Sequence, residues 1–260
     1  MLRILFVGDI VSNAGKAILF SSLEKLKGTY DFLIVNGENI TDGKGISKAD
    51  YQDLINHGVD CVTLGNHWHG QYDLDRWIDD ADKLVRPLNV IGYHHGKGSR
   101  LFEKNGIQVR VTNVLGTAFM KEAVNFPYLA MNDLYEKIES SIHLIDYHAE
   151  STSEKQIFML NNVGKATAVV GTHTHVQTAD ERIVDGTAIQ TDVGMCGIMN
   201  GSIGATYESA KKRFVEGQKV ALDFSGRGLS QFNATYIEVD EKTLKATNIR
   251  RIHLEENIDE

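Results

Sequence analysis

The sequence predicts an α/β protein in which two sheets pack face to face and helices cover the outside. In the first half of the chain, short apolar runs alternate with segments of helical periodicity, which is typical of parallel β-α-β units. In the second half, alternating apolar and polar residues flank turn signals, which indicates antiparallel ribbons. We expect one domain that spans residues 1–260, because no repeat, low-complexity tract or charged block marks a linker.

The first half supplies three predicted strands and two helices. The strands are apolar over nearly their whole length, as strands buried on both faces should be. The helices follow from apolar spacing and, in the second helix, from a Ser-Asp capping pair. The strands are residues 2–7, 32–35 and 61–64, the helical faces are Leu19, Phe20, Leu23 and Leu26 and then Tyr51, Leu54 and Ile55, and the capping pair is Ser47 and Asp50.

The second half mixes buried strands with turns. Asn105-Gly106 is a hairpin signal before the alternating run of Ile107, Val109 and Val111. Asp185-Gly186 separates two short strand candidates in the same way. Further strands are expected at residues 142–147, at residues 166–170 and after Leu229.

Composition excludes several classes of protein. The chain has 35 acidic and 27 basic side chains, a net charge of −8, so no stable nucleic-acid complex is expected. The N-terminal apolar stretch is broken at Asp9, and no apolar run approaches the roughly 18 residues of a membrane span. Cys61 and Cys196 are too few for a disulfide scaffold and favour a reducing compartment. We therefore expect a cytoplasmic protein without a membrane segment.

Polar side chains able to bind metal ions follow five of the predicted strands. Ligands bind at the carboxyl ends of strands in such sheets, so these side chains should form a single site. Each has a plainer role by itself: a hydrogen-bonded structural histidine, a helix N-cap at Asp9, or a solvated loop carboxylate at Glu38. Their joint placement favours the metal site. The seven candidates are Asp9, Glu38, Asn39, Asn66, His148, His173 and His175.

Two histidines, His173 and His175, carry the strongest local signal. In an extended segment, residues i and i+2 point the same way, so both imidazoles can reach neighbouring ions. Imidazole combined with carboxylate oxygens favours transition metals over calcium, and Glu38 is the candidate bridge between two of them. Such a site stays net positive after its two carboxylates are counted, and it would attract a phosphate ester.

His67 follows Asn66 directly and is the candidate general acid. With Asn66 bound to a metal, the imidazole of His67 would stand over the site and protonate the leaving oxygen. The alternative is that His67 only forms a hydrogen bond with a loop carbonyl.

The chain resembles the YmdB-like bacterial metallophosphoesterases in the segments that carry these candidates. The resemblance covers residues 2 to about 195 and is most specific around the two histidines. The matching segments are Gly8-Asp9, Asn36-Gly37-Glu38-Asn39, Gly65-Asn66-His67, Asp146-Tyr147-His148-Ala149-Glu150, Gly171-Thr172-His173-Thr174-His175-Val176-Gln177-Thr178-Ala179-Asp180 and Thr191-Asp192-Val193-Gly194-Met195.

The resemblance implies a four-layer α/β/β/α sandwich of two mixed sheets with outer helices. It implies two transition-metal ions per chain, iron first with manganese or zinc as alternatives, and His67 as the acid. The substrates would be cyclic nucleotides, chiefly 2′,3′-cyclic and also 3′,5′-cyclic, opened by a bridging hydroxide. A homo-oligomer is expected on the same ground. One ion would be held by Asp9, Glu38, Asn39 and His175, and the other by Glu38, Asn66, His148 and His173.

Two segments depart from the family pattern, Trp68-His69-Gly70 and residues 90–95. The predicted ligands survive these changes. Trp68 would either stack on a nucleobase or pack against the protein. The histidines of these segments, His69, His94 and His95, would either line the rim of the pocket or lie in a solvated loop.

Three other functions stay open at this stage. The same chemistry would serve phosphomonoesters in a nucleotidase. Alternatively, a regulatory protein would use the metal site for stability or sensing, with weak catalysis. An RNA-interaction module around Lys211, Lys212 and Arg213 is disfavoured by the acidic balance of the chain.

Overall fold

The computed structural model describes residues 1–139 and 141–258. Two mixed sheets of seven and six strands lie face to face, helices cover the outer side of each, and a two-stranded ribbon is added. The predicted four-layer α/β/β/α architecture is confirmed. The described helices are α1 (Ser12–Lys25), α2 (Lys48–Asn56), α3 (Pro127–Tyr135), α4 (Thr152–Asn161) and α5 (Tyr207–Phe214), with 3₁₀ turns at Leu74–Arg76 and Ile78–Asp80.

The first sheet is parallel from β11 to β4 and antiparallel at its β14-β15 edge, and the second sheet is parallel at the centre and antiparallel at both edges. The first sheet has the order β15-β14-β11-β1-β2-β3-β4, and the second has the order β5-β6-β7-β8-β10-β9. The bounds are β1 (Leu2–Val11), β2 (Phe32–Asn39), β3 (Cys61–Thr63), β4 (Leu84–Val85), β5 (Ser99–Lys104), β6 (Ile107–Leu115), β7 (Ile142–His148), β8 (Ala168–Thr172), β9 (Arg182–Val184), β10 (Thr187–Gln190), β11 (Met195–Ile198), β12 (Gly201–Ser202), β13 (Ala205–Thr206), β14 (Gly228–Asp240) and β15 (Lys245–Ile258).

Strand β1 shows how the layers are built. Leu5 and Val7 join the apolar core beneath α1 and α2, whereas Ile4 and Phe6 join the core between the two sheets. Both faces of the strand are therefore buried, which explains its continuous apolar run. A third core lies between the second sheet and α3 and α4, where Tyr147 stacks on Phe158 with ring centroids 3.7 Å apart.

Strands β1 and β2 each continue four residues beyond the prediction, whereas β8 (Ala168–Thr172) begins and ends two residues later than the predicted strand at residues 166–170. Strand β1 continues past Val7 because its pairing partner changes from β14 to β11, with a register shift at Asp9. Helix α1 then begins at Ser12 with Val11 as its N-cap, so an N-cap role for Asp9 is wrong. Strand β2 likewise runs on through polar residues to Asn39.

The turn signals are confirmed. Asn105 and Gly106 both have positive φ, 54° and 78°, as a two-residue hairpin turn of the favoured type requires. Asp185 and Gly186, between β9 and β10, also both have positive φ, 47° and 84°. The Ser47 hydroxyl accepts the Asp50 N–H at 3.1 Å and caps α2.

The carboxyl ends of β1 and β2 in the first sheet meet those of β7 and β8 in the second. One hydrogen bond joins the sheets there, from Asn36 Nδ2 to Asp146 Oδ2 at 3.1 Å. Cys61 and Cys196 are buried free thiols, as expected of core residues. Over residues 1–139 and 141–258, no helix has both the length and the apolar character needed to cross a membrane.

Candidate metal centre

The structure places all seven predicted ligands and His67 where the two sheets meet. The backbone carries them there at strand ends, which is why their spacing along the chain is irregular. Asp9 lies in β1, Glu38 and Asn39 end β2, Asn66 and His67 follow β3, His148 ends β7, and His173 and His175 follow β8.

One group of ligand atoms surrounds the imidazole of His148. Its Nε2 lies 2.9 Å from Asn66 Oδ1, 3.1 Å from His173 Nδ1 and 3.3 Å from Glu38 Oε1. Candidate ligand atoms of Glu38, His148 and His173 all lie within 4.8 Å of one another. Two imidazoles, a carboxylate and an amide oxygen at this spacing suit a transition metal.

A second group lies beside it. Asp9 Oδ1 is 3.9 Å from His175 Nε2 and also 3.9 Å from His148 Nδ1. Asp9 Oδ1 and Asn39 Oδ1 are buried and accept no hydrogen bond from any described residue. Such oxygens cost about 1 to 3 kcal/mol each when nothing compensates them. A bound cation would compensate both, so this donor set fits a metal ion.

Outer hydrogen bonds turn the imidazoles towards the centre. His175 Nδ1 lies 2.9 Å from the carbonyl oxygen of Ile203 and donates to it, which leaves Nε2 free for a metal. His148 Nδ1 lies 2.8 Å from the hydroxyl of Thr172, and that hydroxyl donates to Asp146 at 2.7 Å. Nε2 of His148 therefore faces the ligand group described above.

The protonation states also suit metal binding. Burial lowers the pKa of His173 to about 3 and lowers the pKa of His175, so both imidazoles are neutral near pH 7. Burial opposes ionisation of Glu38, but His148 and His67 outweigh it and lower the pKa of that carboxyl. Burial would lower the pKa of His148, whereas Glu38 and Asp9 raise it to about 9. A cation bound beside Glu38 would displace that proton.

His67 lies between the centre and solvent, with 35% of its side chain exposed. Its backbone N–H donates to Glu38 Oε2 at 2.9 Å. Its ring Nδ1 lies 2.8 Å from Asn39 Nδ2, which also donates to the carbonyl of Gly43 at 3.1 Å. The neutral ring therefore carries its proton on Nε2. The ring of His67 thus forms its hydrogen bond with the Asn39 amide. The alternative, a hydrogen bond from the ring to a loop carbonyl, is not found among the described residues.

The segment around His173 and His175 is not extended, so the predicted i and i+2 geometry is wrong. Both residues follow the end of β8, and both have positive φ, 99° and 67°. Positive φ is unusual for histidine and persists only where surrounding contacts hold it. The two side chains reach the centre through this turn instead of through the pleat of a strand.

A buried ion pair beneath that turn was missed by the sequence analysis. Lys155 Nζ lies 2.6 Å from Asp192 Oδ2, and both side chains are only 1% exposed. The same Asp192 oxygen accepts the backbone N–H of Thr174 at 3.1 Å and its hydroxyl at 2.8 Å. Thr174 lies between the two histidines, so the ion pair holds the turn. No local pattern pairs Lys155 with Asp192.

Two further residues shape the centre. A side chain at Gly65 would collide with Glu38 and His148, so only glycine leaves room for those ligands. The sequence analysis did not select Glu150 as a site residue. Its Oε2 lies 2.9 Å from His173 Nε2. It thereby fixes the ring that presents Nδ1 to the centre.

The two segments that depart from the family pattern pack against each other. Trp68 contacts Tyr93 with ring centroids 4.4 Å apart and also packs on the core beneath α1, so it takes the packing role. His69 is exposed and lies 2.9 Å from Asp75, and His95 is exposed and lies 2.7 Å from Asp79. His94 is exposed as well. The two segments that depart from the family pattern are thus in direct contact.

A cavity of about 540 Å³ opens directly on this centre. Asn66, His67, His69 and His173 are among the residues that line it. Cavities of this size hold small-molecule ligands in many proteins.

Comparison with known proteins identifies the family of this chain. The sequence model of the family described as YmdB-like protein matches residues 5–252. A 2′,3′-cyclic-nucleotide 2′-phosphodiesterase of Bacillus subtilis (strain 168) is 40% identical over 256 residues, which cover 96% of each chain. A solved Mycoplasma pneumoniae structure described as a novel phosphatase has a TM-score of 0.91 at 39% identity, covering 98% of this chain and 94% of that one. A hypothetical protein from Thermus thermophilus also has a TM-score of 0.91, at 34% identity, covering 98% and 100%. The chain therefore belongs to the YmdB-like family.

Proposed function

We propose that this protein is a metal-dependent phosphodiesterase that opens 2′,3′-cyclic nucleotides with two transition-metal ions per chain. It is a phosphoester hydrolase by family. The observation that carries the finer proposal is the pair of buried oxygens on Asp9 and Asn39 without partners, beside a cluster of imidazoles at the mouth of a cavity. The Bacillus subtilis relative, named as a 2′,3′-cyclic-nucleotide 2′-phosphodiesterase, supports the substrate class.

The proposed ligand sets share Glu38 as the bridging residue. When bound, the ions would supply Lewis acidity at the phosphoryl group and a water acidic enough to act near neutral pH. The mixture of imidazole, amide and carboxylate donors suits a transition metal. The family resemblance implies iron first, with manganese or zinc as alternatives. One set is Asp9, Glu38, Asn39 and His175, and the other is Glu38, Asn66, His148 and His173.

His67 is the proposed general acid. Asn39 contacts Nδ1 of its ring, so Nε2, on the far side of the ring from that amide, would face the substrate. As the oxygen of water bonds to phosphorus, the bond from phosphorus to O2′ breaks, and His67 in its imidazolium form gives the Nε2 proton to O2′ and becomes a neutral imidazole. The product is a nucleoside 3′-monophosphate. Solvent reaches the exposed part of the ring and allows it to be reprotonated.

Replacement of His67 tests this assignment. We expect His67→Ala to lower kcat on 2′,3′-cAMP by about 10²- to 10⁴-fold. Elemental analysis of protein purified without chelator should still find about two transition-metal ions per chain, because His67 is not a ligand in the proposed sets. His253→Ala, which removes an exposed histidine on β15, is the matched control and should retain wild-type turnover.

Other outcomes would change the assignment. Unchanged turnover in His67→Ala removes this residue from the mechanism. Faster hydrolysis of p-nitrophenyl phosphate than of bis-p-nitrophenyl phosphate would indicate a nucleotidase. Protein that holds metals and binds the cyclic nucleotide without turnover would indicate a regulatory role. Including 3′,5′-cAMP in the same panel measures the second predicted substrate class.

The homo-oligomeric state and the cytoplasmic location stay predictions. Light scattering coupled to size-exclusion chromatography checks the first, and fractionation of the source cell checks the second.

A further inference from the structure

One aromatic side chain near the centre has an unusual exposure. Phe119 is 87% exposed and has a φ of 63°. A bulky residue rarely adopts that conformation, and an exposed phenyl ring gains nothing from the hydrophobic effect. Among the described residues, Phe119 makes no ring contact that would explain its position. Conformations of this kind concentrate at functional sites.

The backbone before Phe119 is firmly anchored. The N–H and the hydroxyl of Thr117 each donate to Glu154 Oε1 at 2.8 Å, and the N–H of Ala118 donates to Glu154 Oε2 at 3.2 Å. One residue earlier, the N–H of Gly116 donates to the carbonyl of His148 at 3.0 Å. The backbone that leads to Phe119 is thus held beside a proposed metal ligand.

Phe119 lines the same cavity as the proposed acid. His67 and His173 line this cavity, and so do Phe119, Lys44, Lys121 and Glu122. A ligand that fills this space would have its anionic end at the metal centre and a flat apolar part at the phenyl ring. A cyclic nucleotide has both parts.

We propose that Phe119 is a stacking platform for the nucleobase of the substrate. The inference rests on the proposed function and adds a substrate-positioning residue to it. Every base offers a π-face, so stacking holds the nucleoside without selecting strongly among bases. Two lysines, Lys44 and Lys121, line the cavity against one acidic residue, Glu122, and this excess of positive charge favours approach of the phosphate.

Removal of the ring is the direct test. Phe119→Gly suits the observed φ, so the variant should melt no lower than the wild type. The ratio of kcat/KM for 2′,3′-cAMP to kcat/KM for 1-O-methylribose 2,3-cyclic phosphate, which has no base, should fall about 10-fold. The fall should appear mainly in KM. Phe119→Trp should restore the ratio.

A second measurement does not need turnover. Calorimetric titration with adenosine 3′-monophosphate should show a Kd about 10-fold weaker in Phe119→Gly than in the wild type. Phe214→Ala removes another exposed phenyl ring, on α5 and outside the cavity, and should leave both the ratio and this Kd unchanged.

An unchanged ratio together with an unchanged Kd in Phe119→Gly would overturn the proposal. So would an equal loss of kcat/KM on both substrates, because that places the effect at the phosphate. A wild-type protein that hydrolyses neither substrate counts against the proposed function instead, and the Kd comparison then still decides the role of Phe119.

Discussion

Position 39 holds an amide, although a carboxylate there would bind a metal ion more strongly. The contacts of Asn39 explain why. Its Nδ2 donates to the carbonyl of Gly43 and to Nδ1 of His67, and its Oδ1 is buried without a hydrogen-bond donor among described residues. An aspartate has no N–H groups and would meet the Gly43 carbonyl with a second acceptor. One side chain thus presents an oxygen to the centre and contacts the ring of the proposed acid.

A histidine outside the metal centre, His143, also contributes to the loss of stability in acid. His143 is buried in β7, where Nε2 lies 2.9 Å from the Thr112 hydroxyl and Nδ1 has no partner in the described part of the chain. Burial, with a smaller contribution from Arg110, lowers the pKa of His143 to about 3. The folded protein therefore keeps this imidazole neutral well below the pH at which an unfolded chain protonates it.

This pKa predicts a loss of stability on acidification. An unfolded histidine titrates near pH 6.5, so between about pH 6.5 and 3 the unfolded state binds the extra proton. The free energy of unfolding should then fall with pH by up to about 1.4 kcal/mol per unit in this window, with no contribution above it. Urea denaturation at pH 7 and pH 5 measures it. His143→Gln should lose about 2 kcal/mol less between these two values than the wild type. Equal losses would contradict the assignment.

At the scale of the elements, α4 supports the turn that follows β8. Lys155 extends from α4 to Asp192, and Asp192 in turn holds Thr174 between the two histidines. A buried lysine is rare and costly unless its charge is paired. This pair therefore does more than join two elements, because it restrains a backbone segment with two residues of positive φ.

Breaking the pair should affect both stability and metal binding. Lys155→Met leaves Asp192 buried without its partner, and we expect the free energy of unfolding to fall by about 3 to 5 kcal/mol. Loss of the restraint on Thr174 should weaken Mn²⁺ binding about 10-fold or more. Urea denaturation and calorimetric titration measure the two effects. Lys137→Met, an exposed lysine without an ion pair among described residues, is the control.

The companion substitution separates charge from packing. In Lys155→Met with Asp192→Asn, the unpaired charge is gone, so part of the lost stability should return. A double variant no more stable than Lys155→Met would show that packing of the lysine stem, instead of the ion pair, matters here.

Strands and helices with a regular pattern of apolar residues could be predicted from the sequence. The polar residues at their ends could not be assigned in this way. The run at residues 2–7 predicts β1, but the continuation through Asp9 to Val11 depends on β11, which supplies a partner from far along the chain. The pair of Lys155 and Asp192 has the same character, since its members are 37 residues apart and neither has a local signal. Contacts between distant segments leave no periodicity to detect.

At the scale of the whole molecule, the positions of the predicted ligands were foreseeable because strand ends share one edge. What could not be foreseen is how the two sheets face each other, which decides that His148 in β7 lies 3.3 Å from Glu38 in β2. The contact between Trp68 and Tyr93 is of the same kind, because it joins the two divergent segments through the fold alone.

The sharing of ligands between sheets predicts how the molecule unfolds. Glu38 and Asn66 come from the first sheet, whereas His148 and His173 come from the second, and a common core lies between the sheets. We expect one cooperative transition, consistent with the predicted single domain over residues 1–260. Mn²⁺ at about 100 times its Kd should add about 2.7 kcal/mol of stability to the whole transition.

Thermal denaturation with and without Mn²⁺ checks this expectation. Glu38→Gln weakens both proposed ligand sets and should show a smaller shift in Tm. Two separate transitions, of which Mn²⁺ moves only one, would contradict both the single domain and the shared centre.

The pairing of β1 also matters while the chain is being made. Its edge from Leu2 to Val7 binds β14, which is formed by Gly228–Asp240. As a ribosome synthesises the middle of the protein, that edge has no native neighbour, and bare strand edges recruit foreign strands. If translation stalls before β14, the incomplete chain exposes this edge and tends to aggregate. Rapid completion of each chain, or binding by a chaperone, would prevent this.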